Sequence, residues 1–320
     1  MNKNVNYGNW VPEKMLALCY VAAAVLGIAA CVTGPVLHLA IPTWILGILA
    51  AICLVYGIYM HICHELFAFG KGNMMAKVHQ HLVDHLEWDG EGTLLDIGCG
   101  AAALTIRCAK AFPKAKLVGM DYWGAEWNYA KEQCEANAKA EGVADRITFH
   151  KGDAAHLEDP DETFDATVSN FVFHEVRSAK DKRDVVREAL RIVKKGGAFS
   201  FQDMFSQKAL YGDMEEFVEE LKKEGITEIH YIGNLEKKLD FIPGYAAAPW
   251  MISGMGILYG RKQSRKSKMF LYSFSRNPKM FSRGFSRKSK MFLYKTIPDT
   301  VSVSQTQCPG CQISSYMSTL

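Results

Sequence analysis

Several side chains able to do chemistry stand just after short apolar runs in the middle of the chain. The first group is Asp96-Ile97-Gly98-Cys99-Gly100, which closes one run and opens a helical pattern. Glycines there let the backbone approach a ligand closely, and the following helix start offers free N–H groups. Gly98-x-Gly100-x-x-Ala103 also fits a dinucleotide-binding pattern. Asp96, two positions before the first glycine, weighs against a pyrophosphate, which its carboxylate would repel. It can instead receive hydrogen bonds through water from an ammonium group, which suits a cationic, amino-acid-bearing cofactor. Asp121 ends the next run, 21 residues after Gly100, where a carboxylate can accept both hydroxyls of a ribose. Tyr122 and Trp123 follow, either to pack against an adenosine or as ordinary loop aromatics. Asp153, in Gly152-Asp153-Ala154, can accept an adenine amino group with the Ala154 N–H nearby, or cap a helix.

The elements that must position these groups alternate in type. Thr93–Ile97, Lys116–Asp121, Arg146–Lys151, Phe164–Asn170, Ala198–Gln202, Glu228–Ile232 and Met255–Tyr259 read as strands. Ala101–Ala111, Glu126–Glu141, Asp181–Lys194 and Met214–Lys223 read as helices, the third ending at Lys195-Gly196-Gly197. Such alternation predicts a seven-stranded, Rossmann-like α/β sheet that is mostly parallel with helices on both faces. No helical segment separates the last two strands, which predicts an antiparallel strand at that edge.

Five pieces, in this order and spacing, resemble the class I S-adenosylmethionine-dependent methyltransferase family. They are LLDIGCGAAALTI (94–106), VGMDYW (118–123), GDAAHL (152–157), FDATVSNFVFHEV (164–176) and LRIVKKGGAFSFQD (190–203). The run from about 70 to 205 is most similar to the small-molecule branch that includes quinone-biosynthesis methyltransferases. The resemblance implies S-adenosyl-L-methionine as cofactor, with Asp96, Gly98 and Gly100 around its methionine portion; Cys99, between the glycines, is a further candidate cofactor-binding residue. The resemblance also implies Asp121 at the ribose, Asp153 at the adenine and Asn170 beside the cofactor; Tyr122 and Ala154 join them as candidate cofactor-binding residues. The family's third loop glycine is replaced by Ala102. Methyl transfer from a sulfonium needs mainly alignment and exclusion of water, and a base only where the acceptor must lose a proton. His174 and Glu175, past the fourth strand, and Asp203, past the fifth, are the candidates for a catalytic or substrate-orienting role. Phe171, Phe173, Trp123 and Trp127 are candidates for an apolar acceptor pocket.

Ahead of this region, Met15–His64 is a run of fifty residues without Asp, Glu, Lys or Arg. Two apolar stretches, about 15–33 and 43–62, flank Gly34-Pro35 and Pro42, and each is long enough to cross a hydrocarbon core of about 30 Å. The expectation is a transmembrane hairpin in a segment 1–64. A signal peptide is the weaker reading, although Ile28-Ala29-Ala30-Cys31 resembles a lipoprotein cleavage site. Lys3 and Lys14 before the hairpin and Lys71 and Lys77 after it favour both ends, and the catalytic domain, on the cytoplasmic side. His38, His61 and His64 are read as interfacial or packed, not as metal ligands.

The methyltransferase domain is expected over 65–262, and a tail over 263–320. Of the 320 residues, 49% are hydrophobic and 22% charged, which excludes a wholly disordered chain. The net charge of +3 hides an asymmetry: Arg261–Leu320 holds twelve Lys and Arg against the single acidic Asp299. In that tail Ser264–Tyr272 recurs identically at Ser286–Tyr294, too few copies for a solenoid. Disorder is expected there, with anionic lipid as the partner if it has one and nucleic acid not expected. The nine cysteines lack dense pairing, favouring a reducing compartment; Cys308-Pro309-Gly310-Cys311 is a lone pair, and no metal site is expected. The whole reads as a membrane-anchored methyltransferase acting on a small acceptor such as a quinone precursor or lipid head group. A soluble acceptor is the conservative alternative, and a non-catalytic cofactor-binding or interaction module the rival from another class.

Overall fold

In a computed structural model, residues 5–124, 131–226 and 228–262 are described. The start of the expected second helix (126–130), Trp127, the tail repeats and the Cys308–Cys311 pair lie outside them.

Two long helices come first, α1 (Glu13–Thr33) and α2 (Ala40–Phe67). Pro42 lies in the first turn of α2, where a missing N–H costs little. The helices approach closely where Gly57 faces Cys19: a Cβ on Gly57 would stand 3.2 Å from that of Cys19. Thr33 and Thr43 share a 3.0 Å hydrogen bond near the connection. Along most of the pair, large apolar side chains such as Leu18, Val25, Ile41, Trp44, Ile52 and Val55 face outward. Both helices are long and apolar enough to cross a membrane. At the other end the pattern inverts: Leu16, Met60, Cys63 and Phe67 are buried.

Helix α3 (Met74–Asp84), which periodicity did not single out, buries Met74, Met75, Val78, His79, Leu82 and Val83. The sheet follows: β1 (Thr93–Ile97), α4 (Ala103–Ala111), β2 (Lys116–Asp121), α5 (Lys131–Ala140), β3 (Ile147–Lys151), β4 (Phe164–Asn170), α6 (Lys182–Arg191) and β5 (Val193–Asp203). Then come a short α7 (Lys208–Tyr211), α8 (Met214–Lys223), β6 (Glu228–Ile232) and β7 (Gly256–Arg261). The strand order is β3-β2-β1-β4-β5-β7-β6. β1 to β5 are parallel, and β7 runs antiparallel between β5 and β6. This is the expected mostly parallel Rossmann-like sheet.

Several boundaries differ from expectation: β5 runs Val193–Asp203 rather than Ala198–Gln202, β7 Gly256–Arg261 rather than Met255–Tyr259, β3 starts at Ile147, α5 ends at Ala140 and α6 starts at Lys182. Helix α6 stops at Arg191 rather than Lys194, because Ile192 and Val193 are wholly buried and Val193 pairs with Phe164 in the sheet. The Lys-Lys-Gly-Gly run is therefore strand, with an irregular register between Phe164 and Ala166, and Lys194 reaches Asp165 at 2.9 Å. Helix α4 starts at Ala103 rather than Ala101, because Ala102 sits in the left-handed region at φ 66°.

Three apolar groups fill the interior. One sheet face packs Phe199, Phe201, Phe173 and Phe205 against α6 and α8. The other packs Leu94, Leu117 and Ala166 against α4 and α5. The third joins Leu16, Met60, Cys63 and Phe67 of the long helices to Met74 and Met75, to Phe171, and to Ile242, Ala246, Ile252 and Ile257. Residues on both sides of position 64 thus share one core. Ser200 donates to the Leu82 carbonyl at 2.9 Å and Gln202 to that of Val78 at 3.2 Å, fastening α3 to β5.

Phe201 is wholly buried, with Phe173 and Phe199 rings 5.2 and 5.5 Å away. Phe201→Ala is expected to cost about 3–5 kcal/mol, read as a lowered urea midpoint of the detergent-purified protein.

Candidate active site

The carboxyl ends of β1, β2, β4 and β5 carry the polar groups, as the parallel topology requires of a ligand-binding edge. Asp96 is 1% exposed. Its Oδ2 accepts from the Thr105 hydroxyl at 2.6 Å, while Oδ1 has no partner. Burial raises its carboxyl to about 7 against the Thr105 hydrogen bond, with the Asp121 charge adding to the rise. Asn170, at the end of β4, likewise keeps a buried Oδ1 without a partner. Both residues line a cavity of about 90 Å³ together with Gly98, Cys99, Gly100, Ala101, Ala103 and Leu104. The loop after β1 is held by backbone: the Gly98 and Cys99 N–H groups both donate to the Met120 carbonyl, at 2.7 and 3.0 Å. Gly98 has φ 74°, and a Cβ there would lie 2.2 Å from Val172.

Asp121 binds the same loop. One carboxylate oxygen accepts from the Gly100 N–H and the other from the Trp123 N–H, each at 2.8 Å. Its remaining lone pairs are the ones open to a ligand. Trp123 turns back, its indole N–H donating to the Gly100 carbonyl at 3.1 Å. It therefore buttresses the loop instead of lining an acceptor pocket. Tyr122 is 63% exposed, with the Lys151 ammonium 5.0 Å from its ring centre. Asp153 accepts from the Ala155 N–H and the Ser178 hydroxyl, both at 2.9 Å, so its Oδ1 caps a turn; Ala154 is buried in the core.

The three acid–base candidates come together. His174 Nδ1 lies 2.7 Å from Asp203 Oδ1, and its Nε2 lies 3.3 Å from Glu175 Oε1. Asp203 is wholly buried and also accepts from the N–H groups of Phe173 at 2.8 Å and Met204 at 2.6 Å. Burial opposes protonation of His174, but the hydrogen bond and charge of Asp203, helped by Glu175, outweigh it and raise the imidazole above its ordinary 6.5. Phe173 belongs to the sheet core against Phe201 and Phe205, so it leaves the expected acceptor pocket. Phe171 does face the site region: its ring meets Trp10 at 4.7 Å and His174 at 6.5 Å.

The cavity wall also contains residues that motif reasoning passed over: Tyr7, Gly8, Asn9 and Trp10 from the chain start, Phe67 and Phe69 around the end of α2, and Met75 and His79 of α3. Asn137 holds the leading segment, accepting from the Asn6 N–H at 2.9 Å and donating to the Asn6 carbonyl at 2.7 Å. Asn9 donates to the His64 carbonyl at 2.9 Å, and His64 Nδ1 is 2.7 Å from the Val11 carbonyl. The only local signal was the aromatic pair Tyr7 and Trp10 beside the polar Asn6 and Asn9, just ahead of the charge-free run. Burial, aided by the Arg107 charge, holds the His79 imidazole down at about 3, leaving a neutral ring on the wall.

Residues 94–197 match the sequence model of the family described as a methyltransferase domain. A sterol 24-C-methyltransferase of Aspergillus fumigatus is 29% identical over 163 residues, covering 50% of this chain and 41% of that protein. An arsenite methyltransferase of Aquipseudomonas alcaligenes is 29% identical over 127 residues, covering 38% and 36%. A demethylmenaquinone methyltransferase of Lactiplantibacillus plantarum is 30% identical over 104 residues, covering 32% and 41%. The matches span about two fifths of these relatives' length. Residues 94–197 thus carry a methyltransferase domain, and domains of this kind take S-adenosylmethionine as cofactor. The residues present fit that cofactor. Two buried, unpartnered acceptors on Asp96 and Asn170 complement an ammonium group.

The raised imidazole has a definite sign. The His174–Asp203 pair contributes its full stability below about pH 6.5 and loses it as the pH rises through the folded-state value. Asp203→Asn is expected to bring the His174 titration downward, followed by the imidazole proton resonance.

Proposed function

We propose that the protein transfers the methyl group of S-adenosylmethionine to a small, lipid-like acceptor, such as a quinone precursor or lipid head group, while anchored in a membrane by α1 and α2. The observation that carries the methyl-transfer reading is the pair of unpartnered oxygens on Asp96 and Asn170 within the matched domain. Bound S-adenosylmethionine would supply an activated methyl on sulfur. Asp96 and Asn170 would hold its ammonium, Asp121 its ribose and Asp153 its adenine. Cys99 and the glycines leave the loop thin enough for close approach.

On the acceptor side, His174 is assigned to orient the nucleophile and to take its proton where one must leave. Asp203 fixes the ring through Nδ1 and compensates the charge of the imidazolium. Glu175 stands at Nε2, where an acceptor would replace it. Phe171 and Trp10 give this side an apolar, water-excluding wall.

The lipid-like class of acceptor follows from the anchor. Outward-facing apolar side chains run along α1 and α2, and the last turn of α2 supplies Phe67 to the cavity wall. Holding the site at the bilayer raises the effective concentration of a lipid-soluble acceptor. Lys14 and Lys71, at the domain ends of the two helices, support a cytoplasmic catalytic domain. The basic tail adds charge suited to anionic lipid.

Calorimetric titration of the full chain in detergent tests the cofactor reading. S-adenosylmethionine and S-adenosylhomocysteine are expected to bind and NADH not to. Asp121→Ala should weaken binding by about 1–3 kcal/mol through lost charge-assisted hydrogen bonds. The Asp96 carboxyl, at about 7 in the free protein, must ionise to meet an ammonium. Affinity should therefore fall by up to about tenfold for each pH unit below 7, with protons released on binding. A pH-independent affinity, with no proton release, would remove Asp96 from that role.

A further inference from the structure

From Phe241 to Gly260 the catalytic domain carries twenty residues with no Asp, Glu, Lys or Arg, bounded by Asp240 and Arg261. Such a stretch on a soluble domain would normally be interior. Here Ile242, Ala246 and Ile252 are indeed buried, in the core that holds Met60, Cys63 and Phe67 of α2. Between them, however, Trp250 is 68% exposed and Tyr245 47% exposed. The two rings emerge beside the helix that leaves the domain. Tyr59 donates its hydroxyl to the Tyr245 carbonyl at 2.9 Å, and its ring lies 6.4 Å from that of Trp250. Tyr56, one turn back along α2, packs against Tyr59 at 6.5 Å.

Tyr59 marks a change of surroundings. On its N-terminal side, large α2 side chains such as Ile52, Val55 and Ile58 face outward; on its C-terminal side, Met60, Cys63 and Phe67 are buried. The twenty residues from Ala40 to Tyr59 make about 30 Å of helix, the thickness of a hydrocarbon core. Aromatic rings cluster where that length ends, and Trp44 stands near its other end, 73% exposed. Tyr and Trp are favoured at this depth, because the ring is apolar and its O–H or N–H reaches the headgroups. Lys77 stacks over Phe241 at 5.8 Å, and Lys237 and Lys238, a few residues before the loop in sequence, are exposed.

We propose that the loop Pro243–Met251 is a second, interfacial membrane contact, with Tyr245 and Trp250 entering the headgroup layer beside Tyr59 and seating the catalytic domain on the bilayer. This rests on the reading of α1 and α2 as membrane-spanning. The consequence is a fixed height. α2 passes without a break from its exposed part to Phe67 on the cavity wall, about 12 Å along its axis from Tyr59. With the loop also seated, the domain cannot swing about the helix ends, and the acceptor side stays within reach of a headgroup.

Tryptophan quenching tests this in the full chain, reconstituted in nanodiscs of phosphatidylcholine and phosphatidylglycerol containing lipid brominated high in the acyl chain. Wild type, W44F and W250F are compared. Both substituted residues are exposed, and retained S-adenosylhomocysteine binding shows that each variant folds. The expected result is that W44F and W250F each lose part of the brominated-lipid-quenchable emission. The part lost in W250F should shrink when the bromine is moved to the chain ends. If W44F loses quenchable emission and W250F does not, the helices span and the loop proposal is overturned. If neither loses it, the membrane reading itself fails and takes the loop proposal with it.

Discussion

A carboxylate shut away from water is the constraint around which this molecule is arranged. Moving Asp96 out of solvent costs several kcal/mol unless its lone pairs are met. The protein meets one oxygen with the Thr105 hydroxyl and leaves the other bare. Leu95 and Ile97 on either side of Asp96 are wholly buried, which holds its strand in the middle of the sheet. The free protein accordingly holds this carboxyl near neutrality. Over the window from about 3.8 to about 7, the folded state binds the extra proton and stability falls as pH rises. On the function proposed above, a ligand cation would supply what the protein withholds and turn a local electrostatic cost into affinity.

The rest of the edge is built to hold the backbone around that group still. Asp121 spends one hydrogen bond from each oxygen on the loop and its own neighbour, and Met120 ties two further N–H groups. Trp123 and Cys134 both reach the Gly100 carbonyl, each at 3.1 Å. Ala102 adopts a left-handed conformation that costs an alanine about 1–2 kcal/mol, offset by complete burial of its methyl group. Rigidity here matters because methyl transfer asks for alignment above all. His174 is positioned by the same logic, its ring fixed by a buried Asp203 whose oxygens are also met by backbone N–H groups.

Helix α2 joins this edge to the N-terminal hairpin without a flexible linker. Its first part is outward-facing and apolar, and its last turns are core. The leading segment around Trp10 then folds back, packing against Phe67 on one side and Phe171 on the other. The N-terminal hairpin and the candidate site are therefore one packed body. Any tilt of the helices is passed to the cavity wall by contact between close-packed side chains.

Strands β1, β2, β4 and β6 and helix α8 could be read from the residues to their ends, because each is a local pattern of apolar period bounded by turn chemistry. The hairpin was legible for the same reason, in its want of charge. The glycine loop, Asp96 and Asn170 were singled out from motif order and strand-end position, and His174, Glu175 and Asp203 were separate candidates whose meeting the tertiary structure supplies. Helix α3, the leading segment, the inward turn of Trp123 and the burial of Phe173 were not legible. Trp10 meets Phe171, and Ser200 meets Leu82, across more than a hundred residues, and no local period encodes such a meeting. Likewise, Val193 pairs with Phe164 where Lys-Lys-Gly-Gly alone reads as a helix end. The sequence by itself determined the kind of sheet, the order of its strands' chemistry and the apolar hairpin, since propensity and hydrophobic pattern act between near neighbours. Only the tertiary structure decided which side chains wall the cavity and which carboxylate oxygen is left bare, because packing and desolvation depend on what distant segments bring to the same place.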